Sequence, residues 1–87
     1  MALPRILVTG ASGFIGRHLL ETLKEDFRVI GLARRSQIRC GAPFHDNIRW
    51  YQVDIGDRES LFTVFDTIKE TGSADFVIHV EPGPDDG

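Results

Sequence analysis

Residues 8–19 read VTGASGFIGRHL and follow directly on the apolar pair Ile6-Leu7. Gly10, Gly13 and Gly16 punctuate this stretch, and the reading of that bend decides the fold. Upstream, Arg5-Ile6-Leu7-Val8-Thr9 is apolar and β-branched and is cut off by Gly10, the pattern of a buried strand. Downstream, Ile15, Leu19 and Leu23 recur every four residues, while Glu21, Lys24 and Glu25 fall elsewhere. That spacing predicts an amphipathic helix ending near Asp26. A glycine bend between a strand and a helix N-terminus is a place for an anion. The first helical N–H groups lack partners there, and the aligned peptide dipoles add partial positive charge.

Working outward, Val29-Ile30-Gly31-Leu32-Ala33 is a second apolar run, closed by Arg34-Arg35-Ser36. Residues 36–47 carry Gly41, Pro43, Asp46 and Asn47 without a clear period and read as a loop with room for one weak helical turn. Ile48–Val53 reads as a third strand. Asp57 is then a good N-cap for a helix whose stripe is Leu61, Val64, Phe65 and Ile68. Gly72 is a natural helix stop, and Phe76–Val80 forms a fourth apolar run. Residues 81–87, EPGPDDG, are expected to be a disordered acidic tail outside a domain spanning 1–80.

Apolar strands alternating with helices imply an α/β fold with a parallel sheet covered on both faces. Right-handed crossovers then favour strand order 3-2-1-4 with two main helices. This is the first half of a Rossmann-type doubly wound sheet, with its switch point between strands one and four. The glycine bend opens at that crevice. Gly10 would turn the chain off the strand, Gly13 would let backbone approach phosphates, and Gly16 would let the helix lie close. A P-loop is a poor match, because Gly10 and Gly16 are six apart and Arg17-His18 stand where Lys-Ser/Thr is needed. The remaining alternative is that the glycines serve only as turn formers.

Composition bounds the rest. The 87 residues carry 10 Lys+Arg against 13 Asp+Glu, a net charge of −3, so no whole-chain field favours nucleic acid or an anionic membrane. Cys40 is the single cysteine, which rules out an internal disulfide and a multi-cysteine zinc site. The start MALPRILV lacks the apolar core of a signal peptide, and no apolar run approaches the roughly 20 residues of a membrane span. A cytoplasmic location is the expectation.

VTGASGFIGRHL resembles the opening of the extended short-chain dehydrogenase/reductase family, the NAD(P)-dependent epimerases, dehydratases and related reductases. VDIGDRESL (53–61) and DFVIHV (75–80) resemble that family's next two landmarks, in the same order. The resemblance implies a dinucleotide cofactor held through Gly10, Ser12, Gly13, Phe14, Ile15 and Gly16. It places Asp54 and Ile55 beside the adenine, with bracing of the following turn as the alternative role of Asp54, and Val80 along the cofactor ribose. Where NAD enzymes carry an acid after strand two, this chain has Ala33 followed by Arg34 and Arg35. That substitution favours NADP(H) over NAD(H), since guanidiniums grip a 2′-phosphate bidentately. His79 is expected to be structural, and His18 and His45 to be ordinary packing or surface residues.

The sequence departs from the family at Glu81-Pro82, where two alanines belong. It also lacks the catalytic Y-x-x-x-K, because Tyr51 is the single tyrosine and Ile55 stands four residues on. The expected function is therefore binding of the adenosine-pyrophosphate moiety without catalysis by these residues alone. A non-catalytic NAD(P)-sensing or partner-binding module is the alternative. The fourth strand would present an unguarded apolar edge, which invites self-association.

Overall fold

The computed structural model describes residues 3–54, 56–70, 72 and 74–80. The elements are β1 (Arg5–Thr9), α1 (Phe14–Leu23), β2 (Arg28–Ala33), α2 (Gln37–Cys40), β3 (Ile48–Gln52), α3 (Arg58–Glu70) and β4 (Phe76–His79). All four strands are parallel and lie in the order β3-β2-β1-β4, as the sequence implies. Each strand carries apolar residues on both faces, and a helix covers each face.

Side chains of Ile6, Val8, Val29, Ala33 and Ile48 turn to one face and pack with Ala11, with Leu20 of α1, and with Cys40 and Ala42. Leu7, Ile30 and Leu32 turn to the other, where they meet Val53 and Ile68 of α3. Leu61, Val64 and Phe65 of α3 pack against that second cluster, so the stripe read from the sequence faces the sheet.

Local turns set the boundaries of these elements. The first helix runs to Leu23, and a final turn, in which the N–H groups of Asp26 and Phe27 both bond to the Leu23 carbonyl, carries the chain past the expected end near Asp26. This tight turn lays Phe27 against the core and frees the Arg28 N–H to reach the carbonyl of Pro4 at 2.9 Å. The weak helical turn expected in the second loop is α2. The Ser36 hydroxyl caps it by accepting from the Arg39 N–H, and Gly41 ends it in the left-handed region. Asp57 caps α3 as expected, accepting from the Ser60 N–H at 3.4 Å and from the Ser60 hydroxyl at 2.8 Å. These bonds to the charged form hold the Asp57 carboxyl below its ordinary value. Gly72 follows α3 at φ 117° and donates to the Lys69 carbonyl.

Candidate dinucleotide site

The C-terminal ends of the strands form one rim, and the glycine bend lies at its centre. Gly10 sits at φ +67°, and a Cβ there would collide with the carbonyl oxygen of Val80. The bend can therefore turn off β1 only while pressed against the end of β4. Gly16 has a different constraint: a Cβ would meet the Gly10 carbonyl and, at 2.8 Å, the Cα of Ala11. It lets α1 close down onto the bend itself.

Gly13 is the N-cap of α1 in extended backbone (φ −76°, ψ 171°), a conformation open to any residue. Its N–H bonds to the Gly10 carbonyl at 3.3 Å, and its carbonyl accepts the Arg17 N–H at 2.9 Å. No side chain caps this helix, and its first turn contains no acid. The N–H groups of that turn therefore face the crevice without a competing carboxylate.

Ser12 and Gly13 are buried in the bend, whereas Phe14 and Ile15 stand 70% and 61% exposed at the mouth. Arg17 braces the arrangement: its Nη1 donates to the Cys40 carbonyl at 2.8 Å and its Nε to the Gly13 carbonyl at 3.3 Å. No sequence pattern signals that strut, because it depends on α2 folding back beside α1.

Across the rim, Arg34, Gln52, Val53 and Asp54 line one shallow, open hollow of about 440 Å³. Arg34 and Asp54, assigned separately from the sequence, thus come together at the ends of β2 and β3. Asp54 is oriented, since its Oδ1 accepts the Gly56 N–H at 2.9 Å. Arg35 is exposed beside Arg34, and its carbonyl accepts the indole N–H of Trp50. Ile55 lies outside the described residues, as do Glu81 and Pro82.

On the far side of the bend, Val80 donates to the Thr9 carbonyl at 3.2 Å, which continues the β1–β4 pairing past β4. His79 is engaged within the sheet, its Nδ1 lying 2.6 Å from the Thr9 hydroxyl. His18 stacks on Phe14 with ring centroids 6.4 Å apart, and His45 accepts the Asn47 N–H through Nδ1. Tyr51 is half-buried on the α3 face of the sheet. Among the described residues, no three or more His, Cys, Asp or Glu side chains gather as a metal site would require. Among the same residues, no helix is long and apolar enough to cross a membrane.

Residues 6–86 match the NAD dependent epimerase/dehydratase family. The chain belongs to that family. Over 49 residues it is 41% identical to the CDP-abequose synthase of Salmonella typhimurium, a match covering 56% of this chain and 16% of the synthase. Its fold superimposes on a short-chain dehydrogenase from Leptospira borgpetersenii solved with bound NAD+, with a TM-score of 0.78 and 27% identity. That superposition covers 91% of this chain and 31% of the dehydrogenase. ElxO, solved with NADP bound, superimposes with a TM-score of 0.70 and 28% identity, over 90% of this chain and 34% of ElxO. The chain thus spans about a third or less of these relatives' length.

Proposed function

We propose that this chain is the NADP(H)-binding N-terminal portion of an NAD(P)-dependent epimerase, dehydratase or reductase. The observation that carries the reading is the rim: an acid-free helix N-terminus behind a glycine bend, with Arg34 and Asp54 around one adjacent hollow. These residues fit a dinucleotide. The pyrophosphate would lie along the Gly10–Gly13 bend on the N–H groups of Phe14–Gly16, whose dipoles favour negative charge without help from a side chain. Arg34, with Arg35 behind it, would take the 2′-phosphate, and Asp54 with Ile55 would flank the adenine. Ser12, Phe14 and Ile15 would border the pyrophosphate, and Val80 would line the ribose on the nicotinamide side. The cofactor supplies hydride chemistry when bound; these residues bind and orient its adenosine half.

The family neighbours solved with NAD+ and with NADP agree with a dinucleotide. The preference for NADP(H) rests on Arg34 and on Ala33 standing in the acid's place. Titration with NADPH and NADH tests it: tighter binding of NADPH is expected, and equal affinities would refute the preference. No turnover is expected from these 87 residues, since proton transfer in this family needs the Y-x-x-x-K that they lack. Nicotinamide-dependent turnover by the purified chain would contradict that statement.

A second reading is a non-catalytic NAD(P)-sensing module that pairs with a partner, or with itself, through β4. It is favoured by Phe76 and Val77, exposed by 56% and 64% on an edge strand. Sedimentation in the presence of cofactor separates the two: a stable nucleotide-binding dimer supports the module, and a monomer supports the first reading. Residues 1–80 as the folded unit and a cytoplasmic location complete the proposal; the expected tail at 81–87 lies outside the described residues.

A further inference from the structure

Trp50 is the only tryptophan in the chain, and no part of the cofactor reading uses it. It lies in β3 with its ring over Gly31 of β2. A Cβ on Gly31 would come within 3.1 Å of Trp50 Cε3 and 3.2 Å of Ala11 Cβ, so the missing side chain makes room for the indole. The ring is thereby seated on the sheet beside the glycine bend. From this seat the indole Nε1–H donates to the Arg35 carbonyl at 3.0 Å.

Arg34, Arg35 and Ser36 leave the sheet with no regular structure of their own before α2 begins at Gln37. A guanidinium selects a phosphate through the fixed direction of its donors, so its value depends on how well its backbone is held. Val53 secures the start of this turn by donating to the Ala33 carbonyl at 2.7 Å, and Trp50 secures it two residues later.

We propose that Trp50 is a positioning residue for 2′-phosphate recognition, its indole N–H holding the Arg34–Arg35 turn over the hollow formed with Gln52, Val53 and Asp54. This inference rests on the reading of Arg34 as the 2′-phosphate ligand. It adds that cofactor preference depends on a side chain in a different strand. The glycine bend is held by its own contacts with Val80 and α1, so binding of the part common to both cofactors does not need the indole N–H.

The test compares wild type, Trp50→Phe and Arg34→Ala, each titrated with adenosine 2′,5′-bisphosphate and with 5′-AMP. Phenylalanine keeps an aromatic ring in β3 but removes the donor together with part of the indole's bulk over Gly31, so the contrast between the two ligands carries the test. Loss of one hydrogen bond predicts an affinity for the bisphosphate about three- to tenfold weaker, with 5′-AMP within about twofold of wild type. Equal losses for both ligands, or no loss for either, would overturn the positioning role. If Arg34→Ala retains the wild-type preference for the bisphosphate, the reading of Arg34 itself fails. If Arg34→Ala loses that preference while Trp50→Phe keeps it, only the role of Trp50 fails.

A second measurement needs no variant. The single indole N–H resonance of wild type should move on addition of adenosine 2′,5′-bisphosphate and stay in place with 5′-AMP. An indole signal indifferent to the 2′-phosphate would contradict the proposal even if Trp50→Phe did not fold.

Discussion

The two sides of β1 are built differently. On one side lie β2 and β3: Val29 through Ala33 are all buried, and α1, α2 and α3 close over them. On the other side lies β4, where Phe76 and Val77 stand largely exposed and Phe76 meets Phe27 edge-on at 6.3 Å. The packed side carries Arg34, Asp54 and the floor under Trp50. The open side contributes Val80 and the Thr9–His79 pair. A dinucleotide bound as proposed would have its adenosine half on the packed side and its nicotinamide half on the open side. This division follows from burial: groups that must hold a ligand in register need a packed scaffold beneath them.

The largest effect that could break this comparison is on stability. Leu20 is fully buried between α1 and the packed half, and Leu20→Ala should cost about 2–5 kcal/mol. Val77→Ala, on the open half, should stay within about 0.5 kcal/mol. Denaturant unfolding of both variants checks the contrast, and similar losses would mean that the two sides are equally packed.

Gly10 joins the two halves, since its φ of +67° and its contact with the Val80 carbonyl both exclude a side chain. Gly10→Ala should cost about 1–3 kcal/mol from backbone strain, with further loss from displacing β4. Thermal melting together with a dinucleotide titration would show both; an unchanged melting point would mean that the bend relaxes freely.

The smallest effect concerns the Asp57 cap. Hydrogen bonds from Ser60 lower its carboxyl below the ordinary aspartate value of 3.8. A lowered folded value means that the stabilisation is present above pH 3.8 and is lost as the pH falls through the folded value. Asp57→Asn should keep a cap while removing this part of the acid dependence. Unfolding curves of the two proteins between neutral pH and pH 3 should converge at the acid end, and parallel curves would contradict the assignment.

The fold was legible because its signals are local. Strand runs broken by glycine, the stripe Leu61-Val64-Phe65-Ile68 and the Asp57 cap each specify one element, and right-handed crossovers order the strands. The bend was legible for the same reason, since three glycines before an amphipathic stripe have few other uses. The supports of the site were not legible. The Arg17 strut to Cys40, the Trp50 bond to Arg35 and the Thr9–His79 pair span 23, 15 and 70 positions, and no periodicity encodes such pairings. The sequence singled out candidate contacts for a cofactor and left unnamed the side chains that brace them.

The most direct test of the account is to follow backbone amide resonances while adding adenosine 2′,5′-bisphosphate. Shifts are expected to concentrate at residues 10–16, at Arg34–Arg35 and at Asp54, with the Phe76–His79 strand little affected. Shifts centred on β4, or spread evenly over the sheet, would contradict it.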